Sequence, residues 1–208
     1  MLKKLGLLAL CGASAFAMHA VELNVNDKDL EFGVAVDIGQ FNDNVKPDSV
    51  FIGAKIIHAD KKHSDINILG EISDYYEIGF LMKRNIADSG LVIGLGVKLN
   101  GTKHYGSVPL GAEIGYKLPF DSPIPLYLNA SIYYAPEVLS MSDAKNFLEY
   151  RISMDIEVIQ NGSVTVGYRN LNTNYKTGRG PNNTTTTTQA SGDISYNSFA
   201  YVGFKFAF

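Results

Sequence analysis

Few residues of this chain have the types and spacing needed for catalysis. The run His63-Ser64-Asp65 holds the three residue types of a serine hydrolase. Side chains adjacent in sequence cannot form the relay from nucleophile to base to orienting carboxylate, because that relay needs residues that converge through the fold. A lipid-modifying enzyme would instead combine His58 or His104 with a distant serine, and the sequence does not select such a pair.

Metal, nucleotide and nucleic-acid sites are not indicated either. Histidines and carboxylates do not recur at a spacing typical of metal ligands. The glycines of GLGVKLNG do not open a helix after a strand, as a nucleotide-binding loop does. With 18 basic and 21 acidic residues, the chain has no basic excess that would attract nucleic acid. We therefore expect no catalytic residue, no metal, no cofactor and no nucleic-acid partner.

The remaining candidates are charged residues that alternate with apolar ones. They are Glu31, Asp37, Lys55, Glu77, Lys98, Glu113, Lys117, Glu149, Arg151, Asp155, Glu157 and Lys205, with Lys83 and Arg169 at strand ends. Positively and negatively charged side chains therefore lie on the same face of the predicted strands. We expect them to pair across an interior, because unpaired buried charges are costly; a narrow, weakly selective channel is the alternative.

A two-residue alternation over most of the chain predicts an all-β fold. The predicted strands are roughly 30–39, 50–58, 75–84, 91–100, 108–118, 124–134, 148–159, 163–170 and 199–208. Short and long connections alternate strictly between them, which is typical of outer-membrane barrels with short periplasmic turns and long external loops. We predict an antiparallel transmembrane β-barrel of ten strands, with eight as the alternative. A tenth strand is either Val21 to Val25 or Ile66 to Ile72.

The residue types on the second face of these strands indicate what surrounds the barrel. Every alternate position along it is Val, Ile, Leu, Phe, Met, Tyr or Ala, and none is charged. So many large side chains would overfill the narrow lumen of a ten-stranded barrel. A charge at mid-depth in hydrocarbon costs roughly 2 to 4 kcal/mol. We therefore predict that this face contacts lipid.

Aromatic residues on the apolar face fit both membrane interfaces. Tyr76, Tyr134, Tyr150 and Tyr168 are predicted near external strand ends, and Tyr116 near a periplasmic end. Phe204, Phe206 and Phe208 alternate along the closing strand. A terminal Phe on such a strand resembles the signal by which outer-membrane proteins are recognised for insertion.

The N-terminal stretch MLKKLGLLALCGASAFAMHA has the layout of a secretory signal peptide. We expect residues 1–20 to be removed, with cleavage after Ala20 or Ala17. Cys11 is the only cysteine, so the mature chain is not held by disulfides. Residues 21–208 form one predicted domain, with a mobile Thr-rich external loop from Leu171 to Ser198.

The mature sequence resembles the YfaZ family of small outer-membrane proteins. The likeness lies in NVNDKDLEFGVAVDIG, LVIGLGVKLN, YYAPEVLSMSDA, VTVGYRNLNTNY and FKFAF. The resemblance implies an outer-membrane barrel and supplies no catalytic or binding residues. We expect a monomer in the bacterial outer membrane, with membrane lipid and the barrel-assembly machinery as partners. The expected function is a barrel without catalysis whose lumen is filled by paired charges; a small-solute channel and a rim-active lipid enzyme are alternatives.

Overall fold

The computed structural model describes residues 20–59, 74–103, 105–120, 124–142, 144–176 and 193–207. Several predictions fall outside these residues: nearly all of the signal peptide, the candidate strand at 66–72, most of the Thr-rich loop, His63, His104 and Phe208. Among the described residues, no helix is both long and apolar enough to cross a lipid bilayer.

Twelve strands form from the described residues. They are β1 Ala20–Val25, β2 Asp29–Asp37, β3 Val50–Ala59, β4 Tyr75–Ile86, β5 Leu91–Gly101, β6 Tyr105–Ser107, β7 Leu110–Lys117, β8 Leu126–Ala135, β9 Ser140–Ser142, β10 Ala144–Ile159, β11 Gly162–Tyr175 and β12 Asp193–Ala207. Two short 3-10 turns, Ile38–Gln40 and Glu137–Leu139, lie in connections.

Ten of these strands form a closed antiparallel barrel. Its order is β4-β3-β2-β1-β12-β11-β10-β8-β7-β5, and a β4–β5 pairing completes the circle. The prediction of a ten-stranded barrel is confirmed. Of the two candidate tenth strands, Ala20–Val25 closes the wall by pairing with β12 on one side and β2 on the other.

We call the end of the barrel that holds the paired residues Ala20 and Ala207 the lower end, and the opposite end the upper end. The predicted strict alternation of short and long connections is wrong at two places. The upper β1–β2 turn spans only residues 26–28, and the lower β2–β3 connection spans residues 38–49. The longer lower connection is ordered by Asp37, whose carboxylate accepts hydrogen bonds from the backbone N–H groups of Gly39 and Asp48 at 3.0 and 2.8 Å.

The wall differs in height around the barrel. Strands β10, β11 and β12 have 16, 14 and 15 residues, whereas β1 has 6. The predicted external loop from Leu171 to Ser198 is therefore too long, because β11 continues to Tyr175 and β12 begins at Asp193. The upper outward face of β11 carries Asn170, Asn172 and Asn174 in place of apolar residues, so the apolar alternation stops before the strand does.

The two faces of the wall are chemically separate. Large apolar side chains that point outward are exposed on the isolated chain; they include Ile52, Ile56, Ile78, Phe80, Leu95, Leu99, Ile114, Ile132, Ile152, Val166 and Val202. The intervening residues point inward, and many of them are charged yet almost fully buried. The core of the barrel is thus a lumen filled largely by polar side chains.

Candidate functional site in the lumen

Glu31 on β2 is the centre of a group of ion pairs across the lumen. Its carboxylate accepts two hydrogen bonds from Arg151 Nη2 on β10, at 2.6 and 2.7 Å. It also contacts Arg169 Nη1 on β11, and Lys55 Nζ on β3 lies 3.9 Å away. The Glu31 side chain is only 1% exposed. Such a buried carboxylate is tolerated because charged donors surround it.

Both arginines also bind a second carboxylate. Arg169 Nη2 donates to Asp29 Oδ1 at 2.8 Å, and Arg151 Nη1 donates to Glu22 Oε1 at 3.2 Å. The amide of Asn24 donates to Glu22 and to Glu31, at 2.6 and 2.8 Å. The network thus ties β10 and β11 to β1 and β2.

A lysine extends the network toward the opposite wall. Lys98 Nζ on β5 lies 2.7 Å from Glu149 Oε2 and 3.3 Å from Glu77 Oε1. Lys55 Nζ lies 3.7 Å from the same Glu77 and so links the two parts. Tyr75 donates to Glu77 at 2.6 Å. We call these nine residues the charge network: Glu22, Asp29, Glu31, Lys55, Glu77, Lys98, Glu149, Arg151 and Arg169.

Apolar side chains fill the lumen above the charge network. We call this cluster the apolar plug; it consists of Ile57, Tyr75, Tyr105, Ala135, Ala144, Phe147 and Leu171, with Leu139 packed against it. The Phe147 ring stacks on Tyr75 and Tyr105, with ring centroids 6.5 and 5.9 Å apart. Tyr105 belongs to β6, which pairs with β5 and β9 at the upper end. The segments 101–107 and 136–147, which lie between predicted strands, therefore contain short strands that help close this end.

Two inward tyrosines pack against glycines of neighbouring strands. Tyr133 lies opposite Gly111, and Tyr201 lies opposite Gly167. A Cβ at Gly167 would lie 2.6 Å from the Tyr201 ring, and one at Gly111 would overlap the Tyr133 ring. These glycines therefore make room for aromatic rings inside a narrow wall. The alternation pattern singled out neither tyrosine.

Below the charge network the lumen is open. A cavity of about 910 Å³ reaches residues of the lower end, including Ala20, Gly90 and Ala207. Its lining also includes Glu77, Lys98, Glu149 and Arg151, so the charge network forms its ceiling. In its wall, Glu113 accepts a hydrogen bond from Tyr133 at 2.8 Å, and Asp155 accepts one from Thr165 at 2.7 Å.

The structure brings most of the sequence-selected charges together and moves two of them. Asp37 serves the lower connection instead of the charge network. Arg169 was placed at a strand end, yet it lies within β11 and is almost fully buried. Glu22 and Asp29 were missed as partners of these arginines. The alternation in VELNV would have given the orientation of Glu22, but Asp29 sits in the polar run NDKD, which reads as a turn.

The outward tyrosines lie at different heights. Tyr76 and Tyr134 are next to the upper ends of β4 and β8, and Tyr116 is next to the lower end of β7. Tyr150 and Tyr168 are not near strand ends, because β10 and β11 continue upward past them. Their rings lie 6.1 Å apart, and the Tyr168 hydroxyl is hydrogen-bonded to Ser198 at 2.7 Å.

On the closing strand, Phe204 and Phe206 alternate with the inward Lys205. Phe204 is an exposed outward residue, opposite Leu23 on β1 and Val164 on β11. Lys205 Nζ lies 4.0 Å from Asp155 Oδ2. Two other predicted lumen charges lie near the lower end. The Glu157 carboxylate accepts a hydrogen bond from the Tyr127 hydroxyl at 3.2 Å, and Lys117 is the last residue of β7.

A histidine and a carboxylate meet at the upper rim. His58 Nδ1 lies 2.8 Å from Asp74 Oδ1, and both side chains are well exposed. This pair reproduces the base and orienting carboxylate of a hydrolase relay. Within the described part of the chain, no hydroxyl group is hydrogen-bonded to His58, and no cluster of three potential metal ligands occurs.

Comparison with known proteins identifies one family and similar solved structures. The family model described as "YfaZ precursor" matches residues 5–208. No curated protein matches the chain. A solved structure titled "KdgM porin" is similar with a TM-score of 0.43 and 10% sequence identity, and the match covers 92% of this chain and 99% of that one.

Proposed function

This chain belongs to the YfaZ family, and from that premise we propose that it is an outer-membrane β-barrel protein with a closed lumen and no catalytic activity. The observation that carries the proposal is the pair of layers across the lumen, the charge network and the apolar plug above it. The barrel is monomeric in this proposal, and its partners are outer-membrane lipid and the barrel-assembly machinery.

The membrane location is supported by a boundary on the outer surface. Going up β11, the outward residues change from Val164, Val166 and Tyr168 to Asn170 and Asn172. Tyrosine is enriched at membrane interfaces because its ring is apolar and its hydroxyl is polar. We place the upper membrane surface at Tyr168, with the top of β10 to β12 standing in water on the external side. In this placement, the tyrosines predicted at the external interface mark the level of the membrane surface, and this level does not coincide with the ends of the strands.

A pair of substitutions tests the membrane location. Val97→Arg puts a charge on the outward face of β5 and should cost roughly 2 to 4 kcal/mol in lipid. Gly79→Ser, on the inward face of β4, is the control, since a Cβ there would have no contact closer than 3.7 Å. Membrane-integrated, protease-resistant protein is measured. Equal assembly of the two variants would contradict a lipid-facing outer surface.

Gly96→Ser would be a poor control for this experiment. It lies one residue from Val97, and the sequence pattern alone predicts that a hydroxyl is tolerated there. However, a Cβ at Gly96 would lie 2.6 Å from the Tyr133 hydroxyl, which is itself hydrogen-bonded to Glu113.

Planar-bilayer recording tests the closed lumen. The native protein should give no reproducible single-channel steps, because the buried charge network and the apolar plug occupy the upper part of the described lumen. Phe147→Ala combined with Arg151→Ala removes one large side chain from each layer and should produce steps. Stable steps from the native protein, abolished by plugging the lumen, would establish the channel instead.

Phospholipid turnover tests the absence of catalysis. The purified barrel should not hydrolyse or transfer acyl chains. If it does, and if His58→Ala removes the activity while Lys176→Ala does not, the rim pair of His58 and Asp74 is part of an active site and the non-catalytic proposal is wrong.

A further inference from the structure

Three lysines surround the lower part of the lumen cavity without a close anionic partner. Lys83 Nζ lies 3.9 Å from Glu113, and Lys205 Nζ lies 4.0 Å from Asp155. Both distances exceed a hydrogen bond. Lys117 forms no ion pair with a described residue, and its ammonium lies 5.9 Å from the centroid of the Tyr127 ring. Each ammonium has three N–H donors, and all three lysines line the cavity.

Two carboxylates beside these lysines, Glu113 and Asp155, are engaged by neutral donors. Glu113 accepts from Tyr133, and Asp155 accepts from Thr165 and from Asn129, at 2.7 and 3.0 Å. These bonds occupy carboxylate lone pairs without using any ammonium. They leave N–H donors of the lysines available to a solute, although the Lys83 ammonium also lies 5.1 Å from the centroid of the Phe51 ring.

In the Lys205–Asp155 pair the cation is the more exposed partner, whereas Lys83 and Glu113 are about equally exposed. The side chains of Lys205 and Lys83 are 42% and 33% exposed, whereas their carboxylate neighbours Asp155 and Glu113 are 10% and 29% exposed. Lys83 and Lys205 stand on different strands, β4 and β12, and Lys83 is influenced by the nearby Glu113 carboxylate and, more weakly, by the Lys205 ammonium. An anion between two such ammonium groups would relieve their repulsion.

We propose that the lower part of the lumen binds a small multivalent oxyanion, either a phosphate compound or a di- or tricarboxylate, between Lys83, Lys117 and Lys205. A cavity of about 910 Å³ accommodates such a solute and falls within the roughly 300 to 1,000 Å³ of small-molecule sites. The solute enters from the lower end, which faces the periplasm in the proposed orientation. The site needs the cavity but does not require that the barrel be non-conducting.

Calorimetric titration of the purified barrel tests this site, with inorganic pyrophosphate and citrate as the two oxyanion probes. Both should bind, and the tighter one identifies phosphate or carboxylate as the preferred chemistry. Acetate, which has a single charge, and the cation spermidine should bind at least about tenfold more weakly, a difference of roughly 1.4 kcal/mol. Absence of binding by both oxyanions, or tighter binding of spermidine, would overturn the proposal.

Variants locate the binding. Lys83→Met and Lys205→Met should each weaken pyrophosphate and citrate binding at least about tenfold, again roughly 1.4 kcal/mol. Lys205→Arg should retain binding, which guards against a loss caused by misfolding.

Lys46→Met is the matched control, because Lys46 is an exposed lysine of the lower β2–β3 connection that does not line the cavity. An equal loss in Lys46→Met would show that binding is not in the lumen. A barrel that conducts and still binds pyrophosphate would overturn only the closed-lumen proposal.

Discussion

The charge network and the wall of the lower cavity use the same residue types but differ in geometry. In the charge network, every carboxylate meets an arginine or Lys98 at 3.3 Å or less, only Lys55 is more distant at 3.7 and 3.9 Å, and no side chain is more than 26% exposed. In the lower wall, the corresponding distances are 3.9 and 4.0 Å, and the lysines remain partly exposed. Ion pairs of equal composition therefore have unequal energetic weight, because burial determines what is lost when one partner is removed.

Arginine occurs in the buried network, together with Lys55 and Lys98, but not among the three cations of the lower wall. Arg151 and Arg169 serve the buried network, where the planar guanidinium binds two carboxylates at once. Lysines alone stand in the lower wall, where a flexible, hydrated ammonium suits an aqueous surface. We therefore expect the network to be the more rigid of the two regions and the lower wall to adjust more easily around a solute.

The largest expected difference between the two regions comes from Arg169→Met compared with Lys205→Met. The first change leaves Asp29 without its guanidinium in a buried site and should lower the free energy of unfolding by about 3 to 5 kcal/mol. The measurement is the urea midpoint of unfolding in detergent or lipid, followed by the loss of the band of folded protein on a gel. If Arg169→Met destabilises no more than Lys205→Met, the buried network is not what holds the upper barrel together.

A smaller difference is expected between two glycines on the inward face of β7. At Gly111, a Cβ would overlap the Tyr133 ring, so Gly111→Ala should cost about 1 to 3 kcal/mol by overpacking. At Gly115, beside the cavity, a Cβ would lie 3.1 Å from the Asn129 side-chain oxygen, which can shift. Gly115→Ala should change the free energy of unfolding by less than about 1 kcal/mol. Equal urea midpoints for the two variants would show that the upper packing is looser than described.

The smallest effect should come from Lys205→Met. Its ammonium is 42% exposed and 4.0 Å from Asp155, so the loss should be below about 1 kcal/mol and should shrink further in high salt. Urea midpoints at low and high sodium chloride measure it. A loss as large as that of Arg169→Met, or one that does not respond to salt, would mean that the lower wall is as tightly coupled as the charge network.

The sequence predicts the wall better than it predicts the lumen. Alternation identified the apolar outward face, because every residue there meets the same surroundings and obeys one rule. It failed at the upper ends of β10 to β12, where the outward face leaves the apolar band and carries Asn170, Asn172 and Asn174. The alternation is reversed there, because the inward residues Phe147 and Leu171 are apolar whereas the outward asparagines are polar. A pattern read with one apolar outward face therefore ends where the reversal begins.

Contacts inside the lumen depend on which strands face each other, and periodicity does not encode that. Arg169 was recognised as charged, but its partners Asp29 and Glu31 lie on β2, on the far side of β12 and β1. The fit of Tyr133 over Gly111 follows from the register of β7 and β8, which is known only once the turns between them are placed. Strand pairing along the chain was therefore predictable, whereas side-chain pairing across the barrel was not.

The ion pairs of the two arginines also bear on the order of folding. Neighbouring strands of the wall are close in sequence except β1 and β12, whose pairing joins Ala20 to Ala207. Arg151 and Arg169 reach from β10 and β11 across this junction to Glu22 and Asp29, contacts between residues 129 and 140 positions apart. Contacts of such high sequence separation form late, since the chain must first lose the entropy of a large loop. We expect both guanidinium groups to remain hydrated until the first and last strands meet, so that closure of the barrel and pairing of these charges occur as one cooperative step.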